Sequence, residues 1–344
     1  MHRVEVFGRL ETISPPLPAW NPICGLAGMR TTIAVLICLT IFTVEAAQQP
    51  HQYSGVTPDT LSVTVDRVNV LFTVADGKGK FVRNLIRGDF RVYEDDSPQD
   101  ISNFSTETNL PLNIAFLIDS SGSVRDKLRF ERQAAAKFFS SALRPGKDKA
   151  LVMSFDTKTA LLQDYTDNPN LLSEALRKII AGGSTCLYDA VFEAAVRRLA
   201  EQPGRRVIVV LSDGMDNSSH ISLPKTLEAA QKNDVTIYAV STNGIDISDP
   251  RDQKTGDANL NELAKETGGR AFFPSKVEDL ARSFSRVSDE LRSQYSLAYG
   301  PTNMKRDGTY RSIRIVASHK RYKVRCRHGY YAPDLGMARS DGPS

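Results

Sequence analysis

The sequence has few of the features that mark common metal-binding and nucleic-acid-binding proteins. Its cysteines form no C-x-x-C pair, which argues against a zinc finger or a thioredoxin-like redox site. Its five histidines are scattered and form no H-E-x-x-H, the zinc-binding pattern of many metalloproteases. It has no long lysine and arginine run, and its net charge is only +4, so we expect no nucleic-acid partner.

The composition is that of an ordinary folded chain. Hydrophobic residues make up 41% and charged residues 24% of the sequence, which excludes a disordered chain, a collagen-like repeat and a multi-span membrane protein. At roughly 150 residues per domain, the 344 residues suggest about two domains.

The N-terminal region predicts export. Arg30 precedes an apolar run over residues 33–44, and small residues follow at a position suited to signal-peptidase cleavage. The run is too short to cross ~30 Å of hydrocarbon comfortably. We therefore predict an N-terminal extension and signal peptide over residues 1–47, with the signal at about 29–47 and translation starting at Met29. The protein is expected in the periplasm or outside the cell, with no membrane association beyond this signal.

Residues 110–293 alternate between strand and helix patterns. The strands are predicted at 112–118, 150–155, 159–163, 207–211, 235–240 and 271–273. The helices are predicted at 127–143, 169–180, 187–200, 223–232, 260–267 and 277–292. This alternation predicts an α/β fold, a doubly wound and mostly parallel sheet with helices on both faces.

The segments on either side of this region are rich in strand patterns instead. They span residues 57–108 and 294–333, and residues 334–344 are expected to form a disordered tail. Neither segment alone is large enough for a comfortable β-sandwich. We predict that the two segments pair into one small β-sandwich-like domain, with the α/β domain inserted between them.

Three loops of the α/β region carry the candidate chemistry. Ligands of such folds lie beyond the carboxyl ends of the strands, where these loops converge. The candidate residues are two carboxylates and three hydroxyls: Asp119, Ser121, Ser123, Thr185 and Asp213. Such hard oxygen ligands favour Mg²⁺, Mn²⁺ or Ca²⁺ over zinc or copper. An ion with few charged protein ligands would stay electrophilic and would seek an acidic oxygen from a partner.

Each of these elements also has a purely structural interpretation. Asp119 and the serines after it could cap the next helix, Thr185 could be the N-cap before Leu187, and Asp213 with Gly214 could be a turn. Their order along the chain, each after plausible secondary structure, favours the metal site.

Four nearby side chains are given structural roles. Asp156 is expected to end a strand, Asp189 to lie on a helix and Asp216 to lie in a turn. Cys186 is expected to be a buried thiol, because the sequence places no histidine or asparagine to activate it. Export would permit a disulfide with Cys326, but we expect two separate thiols.

The three loops together resemble a von Willebrand factor type A domain. The matching segments are Asp119-Ser120-Ser121-Gly122-Ser123, Gly183-Ser184-Thr185-x-Leu187-Tyr188-Asp189-Ala190 and Leu211-Ser212-Asp213-Gly214. The resemblance covers roughly residues 112–292 and implies a metal-ion-dependent adhesion site. It implies that Ser121 and Ser123 ligate the ion through their hydroxyls and that Thr185 ligates it in the ligand-competent state. Asp119 and Asp213 would lie close to the ion, largely through water.

The whole layout also resembles the secreted bacterial VWFA-related proteins of the Acidobacterial type. The matching pieces are Asp89-Phe90-x-Val92-Tyr93-Glu94-Asp95, Tyr295-x-Leu297-x-Tyr299 and Arg327-x-Gly329-Tyr330-Tyr331. This second resemblance bears on architecture more than on function.

Three functional hypotheses follow. The first is a secreted adhesion module that uses Mg²⁺, or Mn²⁺ or Ca²⁺, to capture an acidic group of a protein partner. The second is a structural envelope or assembly protein whose metal site only stabilises the fold. The third is a metal-assisted hydrolase, which would need a general base near the ion. The motifs place no histidine or glutamate there, so we do not expect an enzyme.

Overall fold

The computed structural model describes residues 67–106, 110–245 and 250–334. The predictions for the N-terminal extension, the signal peptide, residues 57–66 and residues 335–344 lie outside these ranges. Within the described ranges, no helix is both long and apolar enough to cross a membrane.

The described residues form 14 strands and six α-helices. The strands are β1 (Val68–Ala75), β2 (Phe90–Glu94), β3 (Ser97–Gln99), β4 (Ile101–Ser105), β5 (Leu112–Asp119), β6 (Lys149–Phe155), β7 (Thr159–Thr166), β8 (Arg205–Ser212), β9 (Val235–Ser241), β10 (Ala271–Phe272), β11 (Tyr295–Tyr299), β12 (Tyr310–Ala317), β13 (Lys323–Cys326) and β14 (Gly329–Tyr331). The helices are α1 (Leu128–Ala142), α2 (Pro169–Arg177), α3 (Leu187–Glu193), α4 (Leu223–Lys232), α5 (Pro250–Glu266) and α6 (Glu278–Leu291).

The centre of the molecule is a six-stranded sheet in the order β10-β9-β8-β5-β6-β7. Neighbouring strands are parallel except for β6 and β7, which are antiparallel. The chain moves outward from β5 to β6 on one side and continues from β8 to β9 on the other. The order of strands therefore reverses between β5 and β8, where ligands bind in doubly wound folds. The α/β class predicted from the sequence is confirmed.

Strand β5 is buried along its whole length, as its apolar sequence predicted. Its alternate side chains contribute to two separate cores. Phe116 packs with α1, α2 and α6 on one face, and Leu117 packs with α3, α4 and α5 on the other. The helices are thus held on both faces of the sheet by residues one position apart.

Three helices depart from their predicted bounds, of which α2 ends at Arg177, three residues before the predicted end. Helix α5 begins at Pro250, ten residues before the predicted start, because the first part of the helix is polar and carries no apolar spacing. Its buried residue there is Gly256. The predicted helix over residues 187–200 continues past α3 as a π-helical turn at Ala194–Leu199.

The two flanking segments pair with each other. Strand β1 pairs with β11 and β13, and β2 pairs with β12, all antiparallel. The result is two four-stranded sheets, in the orders β13-β1-β11-β4 and β14-β12-β2-β3. Their inner faces share one core, in which the ring of Phe72 lies 5.0 Å from that of Phe90 and 5.3 Å from that of Tyr295, centroid to centroid. The expected β-sandwich-like unit is present.

A buried polar cluster joins these two sheets. Glu94 of β2 accepts hydrogen bonds from the hydroxyls of Tyr299, at 2.8 Å, and Tyr330, at 2.9 Å. Its other carboxylate oxygen lies 3.6 Å from the guanidinium of Arg311, and both charged side chains are almost fully buried. An ion pair at this depth is costly to break, because the remaining charge is left without compensation.

The substitution Glu94→Gln is therefore expected to lower the free energy of unfolding by about 3 kcal/mol, since it removes the buried counter-charge of Arg311 and leaves only the exposed Asp307, 3.9 Å away. Chemical denaturation followed by circular dichroism measures this loss. The matched control is Asp96→Asn, which breaks the exposed pair between Asp96 and Arg314. Exposed pairs contribute little, so the control should leave stability nearly unchanged. Equal effects of the two substitutions would contradict the role assigned to the buried cluster.

Candidate functional site

Three loops meet at the carboxyl edge of the central sheet. The first follows β5 and the second precedes α3, and their backbones are hydrogen-bonded to each other. Gly182 donates its N–H to the carbonyl of Ser120 at 2.8 Å, and Gly122 donates to the carbonyl of Gly183 at 3.2 Å. The segment that leads to Thr185 therefore lies against the segment that contains Ser121.

The third loop, which follows β8, is tied to the second through Asn217. Its side-chain oxygen accepts the N–H of Thr185 at 2.9 Å, and its own N–H donates to the carbonyl of Thr185 at 3.1 Å. The backbone of Thr185, in the second loop, is thus held against the third loop. Its side chain is almost fully buried.

Four of the five predicted residues form one chain of hydrogen bonds. Asp119 accepts the N–H of Ser121 at 2.8 Å through Oδ1. The hydroxyls of Ser121 and Ser123 lie 3.0 Å apart, and the Ser123 hydroxyl donates to Oδ2 of Asp213 at 2.9 Å. Asp119 and Ser121 are buried, whereas Ser123 is exposed at the surface. The structure therefore gathers these four side chains at one edge, and Thr185 lies on the adjoining loop.

Capping and turn formation account for only part of this arrangement. The N-cap of α1 is Lys127 and that of α3 is Cys186, and neither makes a side-chain capping bond. Thr185 is therefore not the N-cap of α3. Asp213 does hold a turn, because its Oδ1 accepts the N–H of Met215 at 3.0 Å. Its other oxygen is left to meet Ser123.

The cluster has an excess of negative charge. Burial and, to a smaller extent, the charge of Asp213 together raise the pKa of Asp119 to about 6. Hydrogen bonds from Ser212 and Ser121 act in the opposite direction. The hydroxyl and amide donors of the cluster thus only partly neutralise its two carboxylates.

Two supporting side chains were not singled out from the sequence. The Ser212 hydroxyl donates to Oδ2 of Asp119 at 2.6 Å and accepts the N–H of Gly214 at 3.0 Å. Asn243 donates to the carbonyl of Asp213 at 2.7 Å. Ser212 could have been found from the sequence, because it adjoins Asp213 in the motif. Asn243 could not, because it lies 30 positions after Asp213 and outside the motifs.

The four residues given structural roles behave accordingly. Asp216 accepts the N–H of Tyr188 in the first turn of α3 at 2.9 Å, and Asp189 accepts the N–H groups of His220 and Ile221 in the loop between β8 and α4. Asp156 lies at the rim, where it accepts the Ser120 hydroxyl at 3.4 Å. Burial raises the pKa of Cys186 to about 12, so its thiol is a poor nucleophile. Cys186 and Cys326 are both free, although Cys326 is only half-buried.

No group of three or more histidine, cysteine, aspartate or glutamate side chains in the described ranges is arranged to hold a metal. A metal at this edge would therefore rest on serine and threonine hydroxyls as well as carboxylates. Such neutral oxygen ligands suit Mg²⁺, which keeps several of its waters.

Helix α5 fixes the third loop by direct backbone contact. A Cβ atom on Gly256 would lie 2.1 Å from the carbonyl oxygen of Asp213, and one on Gly214 would lie 2.2 Å from the carbonyl oxygen of Gly256. Gly214 also has a φ of +78°, which favours glycine. This close approach requires glycine at both positions, and it sets the position of Asp213.

Comparison with known families identifies the central domain. The family model described as the von Willebrand factor type A domain matches residues 113–286, half of the chain. The chain belongs to this family. The matched region contains all five predicted site residues.

Curated relatives match the same part of the chain. A UPF0353 protein from Mycolicibacterium vanbaalenii is 28% identical over 177 residues, which cover 46% of this chain and 52% of that protein. A UPF0353 protein from Mycolicibacterium gilvum is 27% identical over 177 residues, which again cover 46% of this chain and 52% of that protein. The chain thus spans about half the length of the curated relatives it matches.

Solved structures are similar at low sequence identity. A von Willebrand factor type A protein from Catenulispora acidiphila is 13% identical, with a TM-score of 0.46, covering 80% of this chain and 76% of that one. The vWF domain of the type V pili tip protein Mfa5 from Porphyromonas gingivalis is 12% identical, with a TM-score of 0.43 and shares of 52% and 94%.

The close approach of α5 to the third loop gives a test of how the site is built. Gly256→Ala should lower the free energy of unfolding by about 1–3 kcal/mol, the usual cost of overpacking. Urea denaturation measures the change. The control is Gly182→Ala in the second loop, where an added Cβ has nothing within 4 Å and should cost little. A neutral Gly256→Ala would show that α5 does not fix the position of Asp213.

Proposed function

We propose that this protein is a metal-dependent binding module, in which a divalent cation at the carboxyl edge of the sheet captures an acidic group of a protein partner. The observation that carries the proposal is the contact between the first and third loops. The hydroxyls of Ser121 and Ser123 and the carboxylate of Asp213 are linked by hydrogen bonds of 3.0 and 2.9 Å. These are hard oxygen ligands for a metal, and they lie at the point where the strand order reverses.

The charge of the cluster supports a cation there. Two carboxylates share this edge. Burial and the charge of Asp213 raise the pKa of Asp119 to about 6, despite the hydrogen bonds that Asp119 accepts. A divalent ion would supply the missing positive charge. Mg²⁺ is the ion we propose, with Mn²⁺ or Ca²⁺ as alternatives of similar ligand preference.

Each residue of the site has a proposed task. Ser121, Ser123 and Thr185 would hold the ion through their hydroxyls, and Asp119 and Asp213 would lie close to it through water. When bound, the ion supplies a positive charge to which a partner's carboxylate adds. Ser212 keeps Asp119 in place through its 2.6 Å hydrogen bond. The exposed position of Ser123 leaves this edge open to a large partner.

The partner is proposed to be an exported or surface protein, because residues 29–47 have the pattern of a signal peptide. The reaction class is binding rather than turnover. The buried Cys186 thiol, with a pKa of about 12, offers no nucleophile beside the site.

The first test is thermal unfolding of residues 48–344 with Mg²⁺, Mn²⁺, Ca²⁺ or EDTA. An ion that binds only the folded state stabilises it by about 2.7 kcal/mol at a hundredfold excess over Kd. We expect a rise in Tm for the wild type and none for Asp119→Ala. The Asp96→Asn variant, altered in the turn between β2 and β3, should respond as the wild type does. A wild-type Tm that is the same in EDTA and in each ion would refute the site.

The second test asks whether the ion captures an acidic group. The probes are immobilised peptides of varied sequence that each contain one glutamate, together with matched peptides that contain glutamine at that position. We expect binding to some glutamate peptides in Mg²⁺, lost in EDTA, in Asp119→Ala and on the glutamine peptides. A metal-induced rise in Tm without any such binding would favour a metal that only stabilises the fold.

A further inference from the structure

A cleft lies at the amino edge of the central sheet, opposite to the metal site. One side is formed by residues 204–206 and 234–236, at the amino ends of β8 and β9, and the other by strands β1, β11 and β4 of the flanking sheet. The cleft has a volume of about 660 Å³. Ligand sites commonly have volumes of ~300–1,000 Å³ and commonly lie where two domains meet.

Arg205, the first residue of β8, is a buried cation that lines this cleft. It is only 5% exposed. Its Nη1 donates to the carbonyl of Leu291 at 2.6 Å and to Oε1 of Gln294 at 3.1 Å, and both acceptors are neutral. Its Nε is buried without a hydrogen-bond partner. Buried charges are ordinarily paired with an opposite charge, because an unpaired one is costly to remove from water.

The fold supplies no counter-charge of its own to Arg205. Within the described ranges, Asp148 is the one carboxylate whose charge raises the pKa of Arg205, and it is already paired with Arg144 at 2.6 Å. Burial, followed by the charge of Arg144, lowers the pKa of Arg205 only to about 10. The guanidinium therefore keeps its positive charge at neutral pH.

Two further arginines line the same cleft. Arg206 donates to the carbonyls of Gln202, at 2.8 Å, and Asn233, at 2.9 Å, which are again neutral acceptors. Arg327 pairs with Asp234, whose side chain is 64% exposed. The charged residues that line the cleft are thus mostly positive, which favours an anionic ligand.

The wall formed by the flanking sheet carries small polar side chains. Leu71, Ser296 and Ser105 lie side by side across β1, β11 and β4, and Asn69 and Asn103 occupy the next row. Hydroxyl and amide groups both donate and accept hydrogen bonds, as the hydroxyl groups of a ligand require.

We propose that this cleft binds a sugar acid, a small ligand with one carboxylate and several hydroxyl groups. The carboxylate pairs with the guanidinium groups of Arg205 and Arg206, whose planar arrangement of N–H donors suits a carboxylate. The hydroxyl groups bind the serine and asparagine side chains of the opposite wall. The cleft is at the other edge of the sheet from the metal site, so this inference does not rest on the function proposed above.

The test is isothermal titration of the protein in EDTA with galacturonate and glucuronate. Galactose and glucose are the matched probes, because each has a neutral CH₂OH group in place of the carboxylate. We expect both acids to bind, and the neutral sugars to bind at least roughly tenfold more weakly, since they lack the charge-assisted hydrogen bonds.

The variants are Arg205→Gln and Arg206→Gln, each of which removes one positive charge from the cleft. We expect each to raise Kd for the acids roughly tenfold. Arg206→Gln still gives a result if Arg205→Gln does not fold. The control is Arg132→Gln, because Arg132 is a half-buried arginine on α1 that also donates to a backbone carbonyl but does not line the cleft. It should bind the acids with the affinity of the wild type.

Four outcomes would overturn the inference. They are no binding of either acid at tens of millimolar, equal binding of the neutral sugars, unchanged affinity in both cleft variants, and an equal loss of affinity in the Arg132→Gln control. Binding of the acids only in Mg²⁺, lost in Asp119→Ala, would assign them to the metal site. That result would support the proposed function and would also refute the cleft as their site.

Discussion

The proximity of two carboxylates at one edge of a parallel sheet is the constraint on which the rest of this structure depends. Asp119 ends β5 and Asp213 follows β8, and the two strands are neighbours over seven residue pairs. Parallel pairing necessarily places both acidic groups at the same edge. The hydroxyls of Ser121 and Ser123 link the two carboxylates, and the hydrogen bonds that the carboxylates accept only partly offset their charge. We therefore propose that a cation binds at this edge.

The surrounding fold keeps this edge in place. Two helical layers bury both faces of the sheet, and α5 approaches the third loop so closely that only glycines fit at Gly214 and Gly256. The flanking segments form a separate pair of sheets around the core of Phe72, Phe90 and Tyr295. The loops that meet at the site are therefore held by rigid elements, as a preorganised binding site requires.

Much of the fold could be predicted from the sequence because its periodicity is strong. The apolar run that forms β5 indicated the cores on both faces of the central sheet, and the strand pattern of the flanks indicated the core between the flanking sheets. The first half of α5 could not be predicted, since its polar residues carry no apolar spacing and its buried residue is Gly256. The candidate site was predictable where the residues adjoin one another in the motifs. Asn243 was not, because it lies 30 positions after Asp213 and adjoins none of the motifs, although its side chain donates to the carbonyl of Asp213.

The most direct test of the metal site is a crystal structure of residues 48–344 grown with Mn²⁺ and measured for anomalous scattering. We expect one anomalous peak beside the hydroxyls of Ser121 and Ser123, close to Asp119 and Asp213. A well-ordered cluster with no peak at a saturating Mn²⁺ concentration, or a peak only elsewhere on the protein, would contradict the proposed metal site.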